Sequence, residues 1–208
     1  MAYKLNVVEA KDVPEADTFL SKGELEAYQS FKIEKRRRQW LAGRYALKSM
    51  AANYFSFDVK YTEIKNLASG QPILKVPGGT KLPVSISHCD DYAAAAIDFN
   101  SEGIGVDIEA VEPRSRAWER QSFCEEEISS RASFFLTELW AKKEAVLKFL
   151  GVGLTISMKD VRFINGRLQL YGKALDIWAR IGSPNIQVEV KDLDGGYKLA
   201  IASEIPVF

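Results

Sequence analysis

The sequence predicts an α+β fold in a two-layer α/β arrangement, built as two similar tandem halves. Each half is a long helix packed on a small, mainly antiparallel sheet. Three observations lead there. Two stretches, 34–55 and 134–150, carry apolar residues at helical spacing, and each is followed by segments that alternate and turn like β-hairpins. Two of those hairpins resemble one another: VSISHCDDYAAAAI beside VEVKDLDGGYKLAIA, each with an acidic turn and a tyrosine opening the return strand. Corresponding elements are offset by roughly a hundred residues, which marks a duplication and not a short-period solenoid. The halves are expected at 1–102 and 103–208, with the boundary near Asn100 to Gly103. Halves of this kind commonly hold a ligand in the cleft between them.

Taken in order, Lys4 to Val8 reads as a first strand and Lys22 to Phe31 as a polar helical piece. The long helix Glu34 to Phe55 follows, with Trp40, Leu41, Leu47 and Met50 as apolar markers. Gly43 inside it costs up to ~1 kcal/mol relative to alanine, which points to close approach of another backbone or a ligand. Lys60 to Lys65 and Pro72 to Val76 suggest short strands joined across Ser69-Gly70. Val84 to Ser87 and Tyr92 to Asp98 form the next hairpin, turning at Cys89-Asp90-Asp91. Gly103 to Glu109 is a further strand. In the second half, Phe134–Leu150 is stopped by Gly151. Hairpins follow at Val161–Ile164 with Leu168–Tyr171, and at Ile186–Val190 with Tyr197–Ala202.

Formal net charge is zero, so anion binding must come from local clusters and not from a global field. Two cysteines without metal-ligand spacing and a single histidine, His88, exclude a disulfide framework and a multi-histidine metal site. The N-terminus lacks an apolar leader segment and no apolar run approaches the ~18 residues of a membrane span, so a soluble, cytoplasmic protein is expected.

Four groups of residues carry chemistry. In GVDIE the strand period of two puts Asp107 and Glu109 on one face. Adjacent carboxylates repel unless a cation lies between them, and hard oxygen ligands suit Mg²⁺; the alternative is a solvated strand face. Glu144 supplies a third oxygen if its helix packs across that strand. On that helix Lys143 falls inside the apolar stripe between Leu139, Trp140, Leu147 and Leu150, so it either finds a partner or snorkels outward. Glu144 and Lys148 lie one turn apart on the flank. His88 ends a strand at a turn, as a functional or a capping histidine. The run Lys35-Arg36-Arg37-Arg38, with Trp40, Arg44 and Lys48 at i,i+4,i+8, offers phosphate-sized donors or a plain solvated face.

Together these elements resemble the 4'-phosphopantetheinyl transferase superfamily in its longer, two-halved type. The matching residues are Gly43-Arg44 after a basic run, SISH at Ser85–His88, GVDIE at Gly105–Glu109, and Trp140…Lys143-Glu144…Lys148 ending in Gly151-Val152-Gly153-Leu154. The resemblance implies an enzyme that moves the 4'-phosphopantetheine arm of coenzyme A onto a serine of an apo acyl or peptidyl carrier protein, releasing adenosine 3',5'-bisphosphate. It implies Asp107, Glu109 and Glu144 as ligands of Mg²⁺, with Mn²⁺ able to substitute. Arg37, Arg44, Lys48, Gln71, Ser87, His88, Lys143 and Lys148 become coenzyme A contacts, and Glu127 a further acidic position. Gln71 stands where the family often has a basic residue, and Cys89 where a serine often follows the histidine. Such members are usually monomers serving fatty acid, polyketide or nonribosomal peptide synthesis.

The mechanism implied makes Glu144 the base for the serine hydroxyl, directly or through a cation-held water, with Asp107 on the cation and Lys148 stabilising the leaving bisphosphate. Competing readings are a Mg²⁺-dependent phosphohydrolase of coenzyme A or nucleotides, and a nucleic-acid-binding module working through Lys35–Arg38. Zero net charge and the lack of aromatic stacking platforms among the basic residues count against the latter, and no membrane partner is expected.

Overall fold

Residues 3–56, 58–67, 69–76, 78–79, 81–101 and 103–205 are described by a computed structural model of the chain. They fall into two units, Met1–Glu102 and Gly103–Phe208.

The first unit runs β1 (Tyr3–Glu9), α1 (Ala16–Phe19), α2 (Lys22–Ser30), α3 (Glu34–Phe55), β2 (Glu63–Asn66), β3 (Pro72–Lys75), β4 (Lys81–Cys89) and β5 (Tyr92–Asp98). The five strands form one antiparallel sheet in the order β1-β5-β4-β3-β2. Ala46, Leu47 and Ala51 of α3 are fully buried against Leu74, Val84, Ala95 and Ile97 of the sheet. Alanines at 93–96 lack large side chains, and α3 packs on that strand. Gly43 explains itself here: a Cβ would lie 2.7 Å from Ile86 Cγ2 of β4, so the glycine allows the helix onto the sheet. In the β1–β5 ladder Asn6 faces Ala95, and its Nδ2 donates across to Ala46 O of α3 at 3.0 Å.

The second unit runs β6 (Gly105–Ala110), α4 (Arg116–Ser122), α5 (Ser133–Phe149), β7 (Val161–Ile164), β8 (Arg167–Leu170), α6 (Gly172–Arg180), β9 (Ile186–Leu193) and β10 (Tyr197–Glu204). Its sheet is β6-β10-β9, with β7-β8 as a separate hairpin. The first unit's order recurs: strand, long helix, two hairpins, and a last strand that pairs antiparallel with the first, β10 on β6 as β5 on β1. In this ladder Asp107 faces Ala200. The copies differ at one link. The first unit joins its hairpins through β3–β4, whereas among the described residues of the second no β8–β9 pairing occurs, and α6 intervenes in the chain.

α5 lies very close to β6. A Cβ at Gly105 would fall 1.8 Å from Ala145 O and 2.7 Å from Phe149 N, so backbone meets backbone there. Gly151, at φ 73°, ends α5 while Val152 N donates back to Leu147 O at 3.1 Å, the left-handed stop expected from the sequence. The short helices α1, α4 and α6 were not expected. Residues 59–61 form a 3₁₀ turn before β2 instead of its first strand residues, and β4 begins at Lys81, ahead of Val84. No helix among the described residues is long and apolar enough to cross a membrane.

Candidate active site

In the second unit β6 and α5 bring three carboxylates together. Asp107, Glu109 and Glu144 each offer an oxygen, all within 4.8 Å of one another. Strand alternation places Asp107 and Glu109 on the same face of β6, with Val106 and Ile108 on the other. The face is not a solvated one, since Asp107 is only 2% exposed. Lys148, one turn beyond Glu144 on α5, donates to Asp107 Oδ1 at 2.7 Å and to Val106 O at 3.1 Å. Its approach to Glu144 is looser, 3.9 Å, so the expected i,i+4 pair is secondary to the cross-element one.

The electrostatics follow from that crowding. Burial, then the Asp107 charge, pushes Glu109 up to about 7, against the pull of Arg114 and a hydrogen bond from Trp140. Burial and the charges of Asp107 and Glu109 push Glu144 up to about 7, with Lys148 opposing. Burial works against the Lys148 ammonium, but Asp107 and Glu144 outweigh it and its pKa ends raised. Burial first, and then the crowding of negative charge, thus raise two of the three carboxyls above the ordinary carboxylate range. Three hard oxygen donors in one cluster, short of counter-charge, fit Mg²⁺ or Mn²⁺. Two supports of Glu109 were not assigned in the sequence. Trp140 Nε1 donates to its Oε1 at 3.2 Å, and Arg114 Nη2 to its Oε2 at 3.2 Å. Trp140 stood in the recognised motif, but nothing in the periodicity pointed to Arg114.

Two expected coenzyme A contacts, Lys143 and Lys48, are enclosed and paired with carboxylates. Lys143 is fully enclosed: its Nζ donates to Glu127 Oε2 at 2.8 Å and to Ser122 O at 3.0 Å, and both side chains of the pair are 0% exposed. The lysine in the apolar stripe did need a partner, and the partner is Glu127, not a phosphate. Lys48 is likewise 0% exposed and ion-paired with Glu24 of α2, whose Oε1 also accepts from Ile64 N at 3.4 Å. Burial lowers the pKa of both lysines, and the carboxylate partners offset part of that. Helical spacing put Lys143 on a buried face but did not say what covers it, whereas Lys48, read as a phosphate donor or part of a solvated face, is fully buried.

The other sites of the first unit lie on α3, on β4 and in the turn before β3. Arg44 stacks 4.5 Å from the Trp40 ring and lies 3.9 Å from Glu24, while Arg37 pairs with Glu34 and lies over Tyr28. Ser87 is buried and His88 exposed at the end of β4. Beyond His88 the turn residues Asp90 and Asp91 take Lys35 at 3.2 Å and Arg38, so the basic run gathers at that end of β4. Gln71 occupies the turn after Gly70, its carbonyl accepting from Leu67 N at 2.8 Å.

Residues 103–202 match the family model of the 4'-phosphopantetheinyl transferase superfamily. A holo-[acyl-carrier-protein] synthase of Staphylococcus carnosus (strain TM300) is 36% identical over 93 residues, spanning 42% of this chain and 77% of that protein. The chain belongs to the 4'-phosphopantetheinyl transferase superfamily. Longer members align along most of its length. The 4'-phosphopantetheinyl transferase psf-1 of Bacillus pumilus is 22% identical, over 94% of this chain and 84% of that one. The transferase Sfp of Bacillus subtilis (strain 168) is 26% identical, over 92% and 91%. Among solved structures, a holo-(acyl-carrier-protein) synthase from Bacillus anthracis in complex with CoA (3',5'-ADP) superposes with a TM-score of 0.40 at 22% identity, covering 46% of this chain and 92% of that one. Membership places this chain in the enzyme class of the phosphopantetheinyl transferases, and the carboxylate cluster lies wholly within the part that the family model matches.

Proposed function

We propose that this transferase moves the 4'-phosphopantetheine arm of coenzyme A to a serine of an apo acyl or peptidyl carrier protein and releases adenosine 3',5'-bisphosphate, with Mg²⁺ required. The observation that carries the reading is the convergence of Asp107, Glu109 and Glu144 with the Lys148 ammonium beside them. Asp107, Glu109 and Glu144 would hold Mg²⁺, which would supply charge neutralisation and polarisation at the pyrophosphate. The serine oxygen forms a bond to the pantetheine-side phosphorus as that phosphorus loses its bond to the bridging oxygen. Glu144 accepts the serine proton, directly or through a cation-held water. Lys148, held as an ammonium by its acidic neighbours, stabilises charge growing on the leaving bisphosphate. Arg37, Arg44, Gln71, Ser87 and His88 are assigned to coenzyme A, whereas Lys48 and Lys143 leave that set because their ammonium groups are enclosed. The protein works as a monomer in the synthesis of fatty acids, polyketides or nonribosomal peptides.

Mass spectrometry of an apo carrier protein incubated with the enzyme, coenzyme A and Mg²⁺ tests the reading. One phosphopantetheine added to the carrier is expected, and none in excess chelator. Bisphosphate released with the carrier unchanged would instead identify a hydrolase.

A further inference from the structure

The buried pair Glu127–Lys143 touches more of the second unit than a salt bridge needs to. Glu127 Oε2 accepts from Lys143 of α5 and from Cys124 N at 2.9 Å, while its Oε1 accepts from Phe163 N of β7 at 3.1 Å. Lys143 donates in addition to Ser122 O at the end of α4, and lies 5.0 Å from the Phe123 ring. One ion pair thus joins α4, the turn at 125–127, β7 and α5. Desolvating two charges is expensive, and hydrophobic replacements of similar volume are often no less stable, so stability alone gives a weak reason for the pair.

Its place on α5 gives a stronger one. Lys143 and Glu144 are neighbours, about 100° apart around the helix. Whatever fixes the rotation of Lys143 therefore fixes the direction in which Glu144 leaves the helix. Gly105 controls how near α5 comes to β6, while the apolar face of α5 and the Lys148–Asp107 bond already limit its rotation. The charge pair, anchored on three other segments, adds a directional restraint at the residue next to Glu144.

We infer that Glu127 and Lys143 are positioning residues for Glu144, setting the rotation of α5 so that its carboxylate meets Asp107 and Glu109. The inference rests on that cluster being the transferase's cation site, and on neither residue touching coenzyme A.

The test uses E127Q, K143M and the double variant, which keep side-chain shape while removing one charge or both. Mn²⁺ binding is measured by calorimetry, and kcat and the KM for coenzyme A by carrier loading. Each single variant strands a buried charge. It is expected to weaken Mn²⁺ binding and kcat by about tenfold or more, the usual effect of losing support behind a metal ligand. The KM for coenzyme A is expected to stay within about twofold, since no ground-state contact is lost. The neutral double variant strands no charge but lacks the Lys143 bonds to Glu127 and Ser122, and it is expected to stay about tenfold impaired in both quantities. If the single variants do not fold, the double variant decides alone, and weakened Mn²⁺ affinity in a folded double variant supports positioning. A folded double variant with near-wild-type Mn²⁺ affinity and kcat overturns it. So do single variants with wild-type Mn²⁺ affinity and kcat, or a KM effect without a metal effect, which would mean that Lys143 contacts coenzyme A. Absence of Mn²⁺ binding by the unaltered protein would instead sink the proposed function. Amide exchange along α5 then decides the positioning role, with faster exchange in K143M supporting it and unchanged exchange overturning it.

Discussion

Lys148 and Asp107 show how a residue's meaning depends on what lies across from it. Replacing Lys148 by alanine removes the ammonium 2.7 Å from Asp107 and, in the proposed mechanism, the positive charge that stabilises the leaving group. We expect kcat to fall on the order of 10²-fold with a smaller change in coenzyme A binding, because leaving-group charge grows mainly in the transition state. Steady-state kinetics with coenzyme A varied would show it, and an effect confined to KM would move Lys148 to ground-state binding. Asp107→Ala should abolish loading while the protein stays folded; a fully active, folded variant would mean that the cluster is not the site. These residues were legible in the sequence because strand alternation alone puts Asp107 beside Glu109. Lys48 and Lys143 were not, because their partners lie 24 and 16 residues away on other elements. A helical period identifies a buried face, and it cannot say that the burying element brings a carboxylate.

Among the elements, the long helices and the hairpins were legible and the short helices were not. α6 has Tyr171 at its N-cap position, which carries no capping signal. The carboxylate that serves its first turn comes from Asp160, bonded to Lys173 N at 3.1 Å across 13 residues. α5, by contrast, announced both its stripe and its stop. What the sequence did not disclose is how closely α5 approaches β6, since Gly105 read only as part of a motif. Gly105→Ala would drive a methyl into the Ala145 carbonyl and force helix and strand apart. Overpacking of this kind costs about 1–3 kcal/mol. We expect a lower urea midpoint together with weaker Mn²⁺ binding, because Glu144 would retreat with the helix. An unchanged midpoint would show that the two backbones are less tightly opposed.

For the whole molecule, the carboxylate cluster links fold stability to pH. Glu109 and Glu144 titrate near 7 in the metal-free fold, against an ordinary value of 4.5. Between those values the folded chain holds protons that the unfolded chain has released, so these two groups make the metal-free protein less stable as pH rises from 4.5 to 7. A bound cation replaces those protons. The rise in Tm on adding Mg²⁺ should therefore be larger at pH 8 than at pH 6. Equal gains at both pH values in thermal melts would mean that the two carboxyls are not where the ion binds. The repeated order of elements was legible from hairpin texts and offsets, but the absence of a β8–β9 pairing among the described residues was not, because sequence similarity between strands says nothing of which edges pair.

Superposing the two ladders by register shows one device common to both units. Ala95 and Ala200 occupy equivalent places in the return strands, and their partners across the ladder are Asn6 and Asp107. Both partners bond to the long helix of their own unit, Asn6 to Ala46 O and Asp107 to Lys148. Two residues on, Val8 stands where the other copy has Glu109. The same brace between strand and helix thus occurs in both units, as a neutral amide in the first and as half of an ion pair in the second. Only in the second does an acidic residue stand two positions on, so only there does the brace sit among gathered carboxylates. In the first unit the same two places hold an amide and a valine, which leaves those two places without charge.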